Sequence, residues 1–189
     1  MSEFPENDEK KKSKVGLTVL ELSLFAVLGA ITFATKVAMS GIPNVHLVAM
    51  FIISFTVVFR WKALIPMYVY IFLEGLFYGF GLWWIPYLYI WAILFGAAML
   101  VPRKWNKWLR GVMYCLIGML HGFLFGILWA PMQALFFGLN FKGTVAWVMA
   151  GLPFDITHGI SNLFMCTMVL PVSGLLSYLT RRMRLGKEL

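Results

Sequence analysis

The sequence predicts an all-α integral membrane protein, a bundle of six transmembrane helices with both chain ends on the cytoplasmic side. Three observations predict it. Of 189 residues, 61% are hydrophobic and the mean hydropathy is +0.82, against about 45–50% apolar residues in a soluble domain. The apolar residues form long runs separated by charged clusters, and lipid can cover such runs where a soluble core cannot. Fourteen of the 16 lysines and arginines fall on one side of a six-span threading, which the positive-inside rule assigns to the cytoplasm.

Residues 1–16 are polar and carry Lys10, Lys11, Lys12 and Lys14; they are expected to form a disordered basic cytoplasmic tail. Ala38-Met39-Ser40 faintly resembles a signal-peptidase site. The apolar run before it is too long for a signal peptide, and Lys36 interrupts its end, so the run is expected to be a retained helix.

A bilayer core needs about 20 apolar residues of helix. Leu17 to Met39 supplies the first, and Ser40-Gly41-Ile42-Pro43-Asn44 is a turn. Val45 to Phe59 is a short second span ending at Arg60-Trp61-Lys62. Ala63 to Phe80 is the third, with Pro66 in its first turn, where a missing N–H is harmless. Gly81 to Pro86 turns the chain, and Tyr87 to Val101 is the fourth span. Pro102 to Arg110 is a basic loop, and Gly111 to Gly138 is the fifth span. After a turn at Leu139 to Thr144, Val145 to Leu179 is long and contains Gly151-Leu152-Pro153. It is expected to be a short helix, a break, and then the sixth span from Pro153. Residues 17–180 thus form one transmembrane domain, and 181–189 a basic tail. Trp105 and Trp108 fit an inner aromatic belt, and Trp83, Trp84 and Tyr87 an outer one.

Polar residues inside a membrane are costly and are functional candidates by default. Tyr70, Glu74 and Tyr78 share a helix face at i, i+4, i+8, and Asp155, His158 and Asn162 share one at i, i+3, i+7. Trp129 and Gln133 lie toward the outer end of the fifth span, and Asn44 and His46 flank the first outer turn. With Trp84 and Tyr87 these residues would line an outward-facing pocket of aromatic walls and few polar groups, the usual construction of a small-molecule site.

Each has a plainer alternative. Asp155 either contacts a ligand or caps a helix beginning at Pro153. His158 and Asn162 either contact a ligand or bond across helices. Glu74 pairs internally with His121 or Lys36, or faces the pocket. His121, in a glycine-rich helix, reads as structural, and the tryptophans double as membrane anchors. Cys115 and Cys166 fall in apolar runs and read as buried thiols.

Small residues recur every four positions: Ala26, Ala30, Ala34 and Ala38; Gly118, Gly122 and Gly126; Gly75 and Gly79. Such stripes let helices approach closely. The glycines read as packing within the bundle, and the alanines as packing or as a face for a partner protein.

The chain has no GxxxxGKS/T phosphate loop, no HExxH metal signature and no GxSxG nucleophile elbow. Ser161 lies off the helix face of Asp155 and His158 and makes no triad with them. No enzymatic activity of its own is expected.

The sequence resembles the substrate-binding S component of an energy-coupling factor transporter, a class of bacterial micronutrient importer. The resemblance covers nearly the whole chain. It rests on size, on topology, on the Ala26-Val27-Leu28-Gly29-Ala30 and Ala30-Ile31-Thr32-Phe33-Ala34 patterns, which match the family's AxxxA signature, and on the Gly151-Leu152-Pro153-Phe154-Asp155-Ile156-Thr157-His158-Gly159 segment. It implies a subunit of the bacterial plasma membrane that binds a vitamin near the outer surface and carries no covalently bound cofactor. It implies docking through Ala26, Ala30 and Ala34 on a membrane coupling protein that joins two cytosolic ATPases, and no nucleic-acid partner. The polar residues above would draw the ligand, whether of cobalamin, flavin, pterin or pyrimidine type; the aromatic turn Gly81–Pro86 weighs toward a large one. A self-sufficient small transporter or channel, a membrane enzyme using Asp155, His158 and Glu74, and a membrane scaffold protein are the competing readings.

Overall fold

The computed structural model describes residues 17–183; the tail expected at 1–16 and the last residues of the C-terminal tail, 184–189, lie outside them. Eight α-helices occur among the described residues: α1 (Val19–Ala38), α2 (Val48–Phe59), α3 (Leu64–Tyr78), α4 (Tyr87–Met99), α5 (Lys107–Phe123), α6 (Phe125–Phe137), α7 (Phe141–Met165) and α8 (Val169–Arg182). No strand occurs among the described residues. Five stretches are long and apolar enough to cross a membrane: Val19–Ala38, Val48–Tyr78, Leu82–Met99, Lys107–Phe137 and Phe141–Arg182. The chain is therefore a multi-pass membrane protein.

The helix starts follow from local chemistry. Thr18 and Glu21 form a reciprocal capping box on α1, Asn106 caps α5 through the Leu109 N–H, and Asn140 caps α7 through the Gly143 N–H. The second stretch is two helices. Arg60 adopts φ 54°, a conformation that ends α2, and a single 3-10 turn over Arg60–Ala63 leads into α3. Two ion pairs fix the direction of α3. Glu21 at the start of α1 meets Lys62 at 2.6 Å, and Lys36 near the end of α1 meets Glu74 at 2.5 Å. Hence α1 and α3 run parallel, and the chain reverses between α2 and α3.

The short α2 is the centre of the fold. Its 12 residues span about 18 Å, less than the ~30 Å of a hydrocarbon core. Val48, Ala49, Met50, Ile52, Ile53, Phe55 and Phe59 are all buried. Nine of its 12 residues are buried, so protein rather than lipid covers most of the helix and its length need not match the bilayer.

Several expected boundaries change. α2 begins at Val48 rather than Val45, α5 at Lys107 inside the expected basic loop, and α7 at Phe141 inside the expected turn, the last two set by their asparagine caps. The fifth span divides at Leu124 (φ −94°, ψ 2°), because the Gly126 N–H leaves the helical ladder for the Asp155 carboxylate. The last stretch does not break at Gly151-Leu152-Pro153; α7 runs unbroken through it. Proline removes one backbone donor, and a membrane helix tolerates that loss. The turn comes instead at Cys166–Met168, just ahead of Pro171, whose missing N–H cannot continue the ladder.

The glycine stripe on α5 and α6 packs inside the bundle. A Cβ at Gly122 would meet the Gly159 backbone, one at Gly118 the Cys166 side chain, and one at Gly111 Leu170. This order makes α7 and α8 antiparallel to α5. It places Arg181 and Arg182 at the same end as Lys62 and the Arg103–Arg110 loop. At that basic end, Arg60 donates to the Met99 carbonyl and Arg103 to the Val57 carbonyl, both at 3.4 Å.

Candidate functional site

The opposite end of the bundle holds a cavity of about 210 Å³. Lys36 and Met39 reach it from the end of α1, and Ser40 and Ile42 to His46 from the following turn. Tyr78 closes α3, Tyr87 opens α4, Phe125 opens α6, and His158 comes from the middle of α7. Four separate helix ends therefore converge on one hollow. Of the residues expected to bind, Asn44, His46, Tyr78, Tyr87 and His158 line it.

Glu74 stands directly behind Lys36. It is fully buried, and its ion pair resolves the sequence alternative in favour of Lys36 over His121. The Lys36 ammonium also lies 5.3 Å from the Tyr87 ring centre and 5.9 Å from that of Tyr78. Both rings present their negative faces to a cation.

The three histidines of the sequence gather here, His46 and His158 in the lining and His121 behind them. The His46 and His158 rings are 4.9 Å apart, and the His121 and His158 rings 6.5 Å. Burial, reinforced by the Lys36 charge, pushes His46 down to about 3, so it is a neutral ring with one donor and one acceptor. His46 Nδ1 and His158 Nε2 are buried without a hydrogen-bond partner. His121 differs: its Nε2 meets the Ile90 carbonyl at 3.1 Å and ties α5 to α4, the structural role expected of it. Among the described residues, no group of three His, Cys, Asp or Glu is arranged to hold a metal ion.

Besides Glu74, five expected site residues do not line the cavity. Asp155 does cap a helix, though not its own. Its carboxylate accepts from the Gly126 N–H at 3.0 and 3.1 Å and so holds the first turn of α6 from α7. Asn162 is fully buried and donates to the Gly118 carbonyl at 3.1 Å, bonding α7 to α5. Trp84 turns back on its own neighbour, its indole donating to the Ile71 carbonyl at 2.7 Å. The aromatic turn is thus a clasp on α3. Trp129 packs edge-on to Tyr87 at 5.4 Å and backs the wall without lining it. Gln133, one turn further along α6, does not line it either.

Asp155 still matters to the cavity. It fixes Gly126, and the preceding residue, Phe125, sits 4.9 Å from the His158 ring. Asp155→Ala would leave a buried N–H unpaired and cost about 1–3 kcal/mol. Asp155→Asn keeps an acceptor and should retain most of that stability, a difference that thermal melts of the two variants would measure.

Lys36 and Phe125 are lining residues that the polar-cluster reading passed over. Lys36 had a signal: with Lys142 it is one of only two basic residues on the far side from the basic loops. Phe125 had none, because phenylalanine is ordinary in an apolar run.

The alanine stripe faces outward. Ala26, Ala30, Ala34 and Ala38 are exposed on α1, while Phe25, Leu28, Gly29 and Thr32 are buried on its other side. These features define the class: a multi-pass helical membrane protein with a half-polar, aromatic-walled cavity at one end. No family model, no curated protein and no solved structure matches the chain.

Proposed function

We propose that this chain is the substrate-binding membrane subunit of an energy-coupling factor importer in the bacterial plasma membrane. It crosses the bilayer six times, with the basic end in the cytoplasm and the cavity facing outward. The observation that carries the reading is the cavity. It combines one cation, two histidines and aromatic rings at the end remote from the basic loops. Below it, Tyr70, Trp91 and the apolar core of α2 are fully buried. That arrangement suits a binding protein that needs partners to complete transport. A channel or self-sufficient transporter would want a polar path continuing through the bundle.

The volume supports a ligand of one or two rings. About 210 Å³ lies below the 300–1,000 Å³ of drug-sized sites, so a pyrimidine- or pterin-sized molecule suits it better than cobalamin. The exposed alanines of α1 supply a surface of small side chains on which a membrane coupling protein could seat closely, with two cytosolic ATPases behind it.

The test begins with the purified protein alone. Denaturation and mass spectrometry would identify any released small molecule, followed by titration with a vitamin panel. Tight binding of one micronutrient is expected, and a folded protein that binds none would overturn the reading. Ala30→Arg should abolish uptake in cells while leaving binding by the isolated chain intact. Loss of both would remove the separate docking face, and unchanged uptake would favour a scaffold role or independent transport.

A further inference from the structure

The charges around the cavity are arranged unequally. Among the described residues, Lys36 is the only charged one in its lining. Glu74 faces Lys36 from behind, its side chain 1% exposed against 21% for Lys36. The carboxylate offsets the cost of holding an ammonium in a largely buried place without itself presenting to the hollow. It occupies one of the three ammonium N–H donors, which leaves two for another acceptor. A ligand entering here meets a positive charge and no negative one.

The remaining chemistry is planar. Tyr78 and Tyr87 flank the ammonium, and Tyr87 is in edge contact with Phe125, their ring centres 6.4 Å apart. Flat aromatic walls at these spacings match a flat ring. At the floor, His46 and His158 each have a buried nitrogen without a partner. A buried polar atom left unpaired is costly. A ligand whose ring carries nitrogen or oxygen atoms would pair with them, and a purely hydrocarbon ring would not.

Resting on the reading of this cavity as the substrate site, we infer that its ligand is a small heteroaromatic acid, with its carboxylate on Lys36 and its ring heteroatoms toward His46 and His158. Cationic ligands, including quaternary and thiazolium rings, are disfavoured by the Lys36 charge. Neutral analogues of the same shape lose the charge-assisted hydrogen bond.

The experiment uses the intact purified protein in lipid nanodiscs. The probes are pyridine, pyrimidine and pteridine carboxylic acids, each titrated beside its own carboxamide. At least one acid is expected to bind about tenfold or more tightly than its amide, the worth of a hydrogen bond to a charged group. In the double variant Lys36→Met/Glu74→Gln, which removes both charges together, the acid-to-amide ratio should fall toward one. Lys36→Arg should keep the preference. An amide that binds as well as its acid, or a preference that survives the double variant, overturns the inference. Binding of a neutral or cationic micronutrient while every acid fails overturns it too, yet leaves the binding-subunit reading standing. A folded protein that takes none of the probes or vitamins and releases no molecule on denaturation overturns both.

Discussion

Gly122→Val should leave little folded protein. A Cβ at position 122 would lie 2.6 Å from the Gly159 nitrogen, 2.7 Å from its Cα and 2.8 Å from the His158 carbonyl carbon. All three are backbone atoms, so no side chain can swing aside. The helices α5 and α7 would have to separate. In a membrane, close packing of this kind is a principal force holding helices together, and overpacking costs about 3 kcal/mol or more where nothing can yield. The same shift moves His158 and opens the cavity floor, so residual protein should bind ligand poorly. Gly174→Ala is the control. A Cβ at Gly174 meets nothing within 4 Å, and alanine is the better helix former by about 1 kcal/mol. Size-exclusion profiles and thermal melts of the two variants should diverge sharply; a Gly122→Val protein as stable as Gly174→Ala would refute this account of the α5–α7 contact.

The second large effect is expected at the pair beneath the cavity. Glu74→Leu removes the counter-ion of Lys36 and leaves a mostly buried ammonium facing only tyrosine rings. Breaking a buried pair on one side costs about 3–5 kcal/mol, and the partial exposure of Lys36, 21% at its side chain, places this case near the lower bound. Lys36→Met added to Glu74→Leu should recover most of the loss, because two apolar side chains replace two charges. The double-mutant cycle measures the coupling. If Glu74→Leu alone proves harmless, the pair does not hold α1 to α3. The equivalent test on Glu21→Leu should give a smaller loss, since Lys62 is more exposed, at 31%, and can turn to water.

Much of the candidate site was legible because burial of a polar residue is expensive wherever it occurs. Asn44, His46, Glu74, Tyr78, Tyr87 and His158 stood out as polar or amphipathic groups in apolar surroundings, and the structure gathers all six around one hollow. The same rule also selected Asp155 and Asn162, which bond backbone groups of α6 and α5 instead. Sequence spacing places residues on a helix face; it does not say what that face meets. Trp84 shows the same limit, since a tryptophan at a helix junction can face lipid, a ligand or its own neighbour, and here its indole bonds Ile71.

The sequence by itself determined that this chain is helical and belongs in a membrane, because long apolar runs have no other stable place. It also determined which loops carry the positive charge and, to within two residues, where α1 begins, at Val19 against an expected Leu17. Tertiary structure decided that the short α2 sits at the centre, that the fifth span divides at Leu124, and that α7 continues through Pro153. It alone paired Lys36 with Glu74 and brought three histidines from three segments together. Each of these depends on contacts between residues distant in sequence, whose partners are chosen by the packing of whole helices.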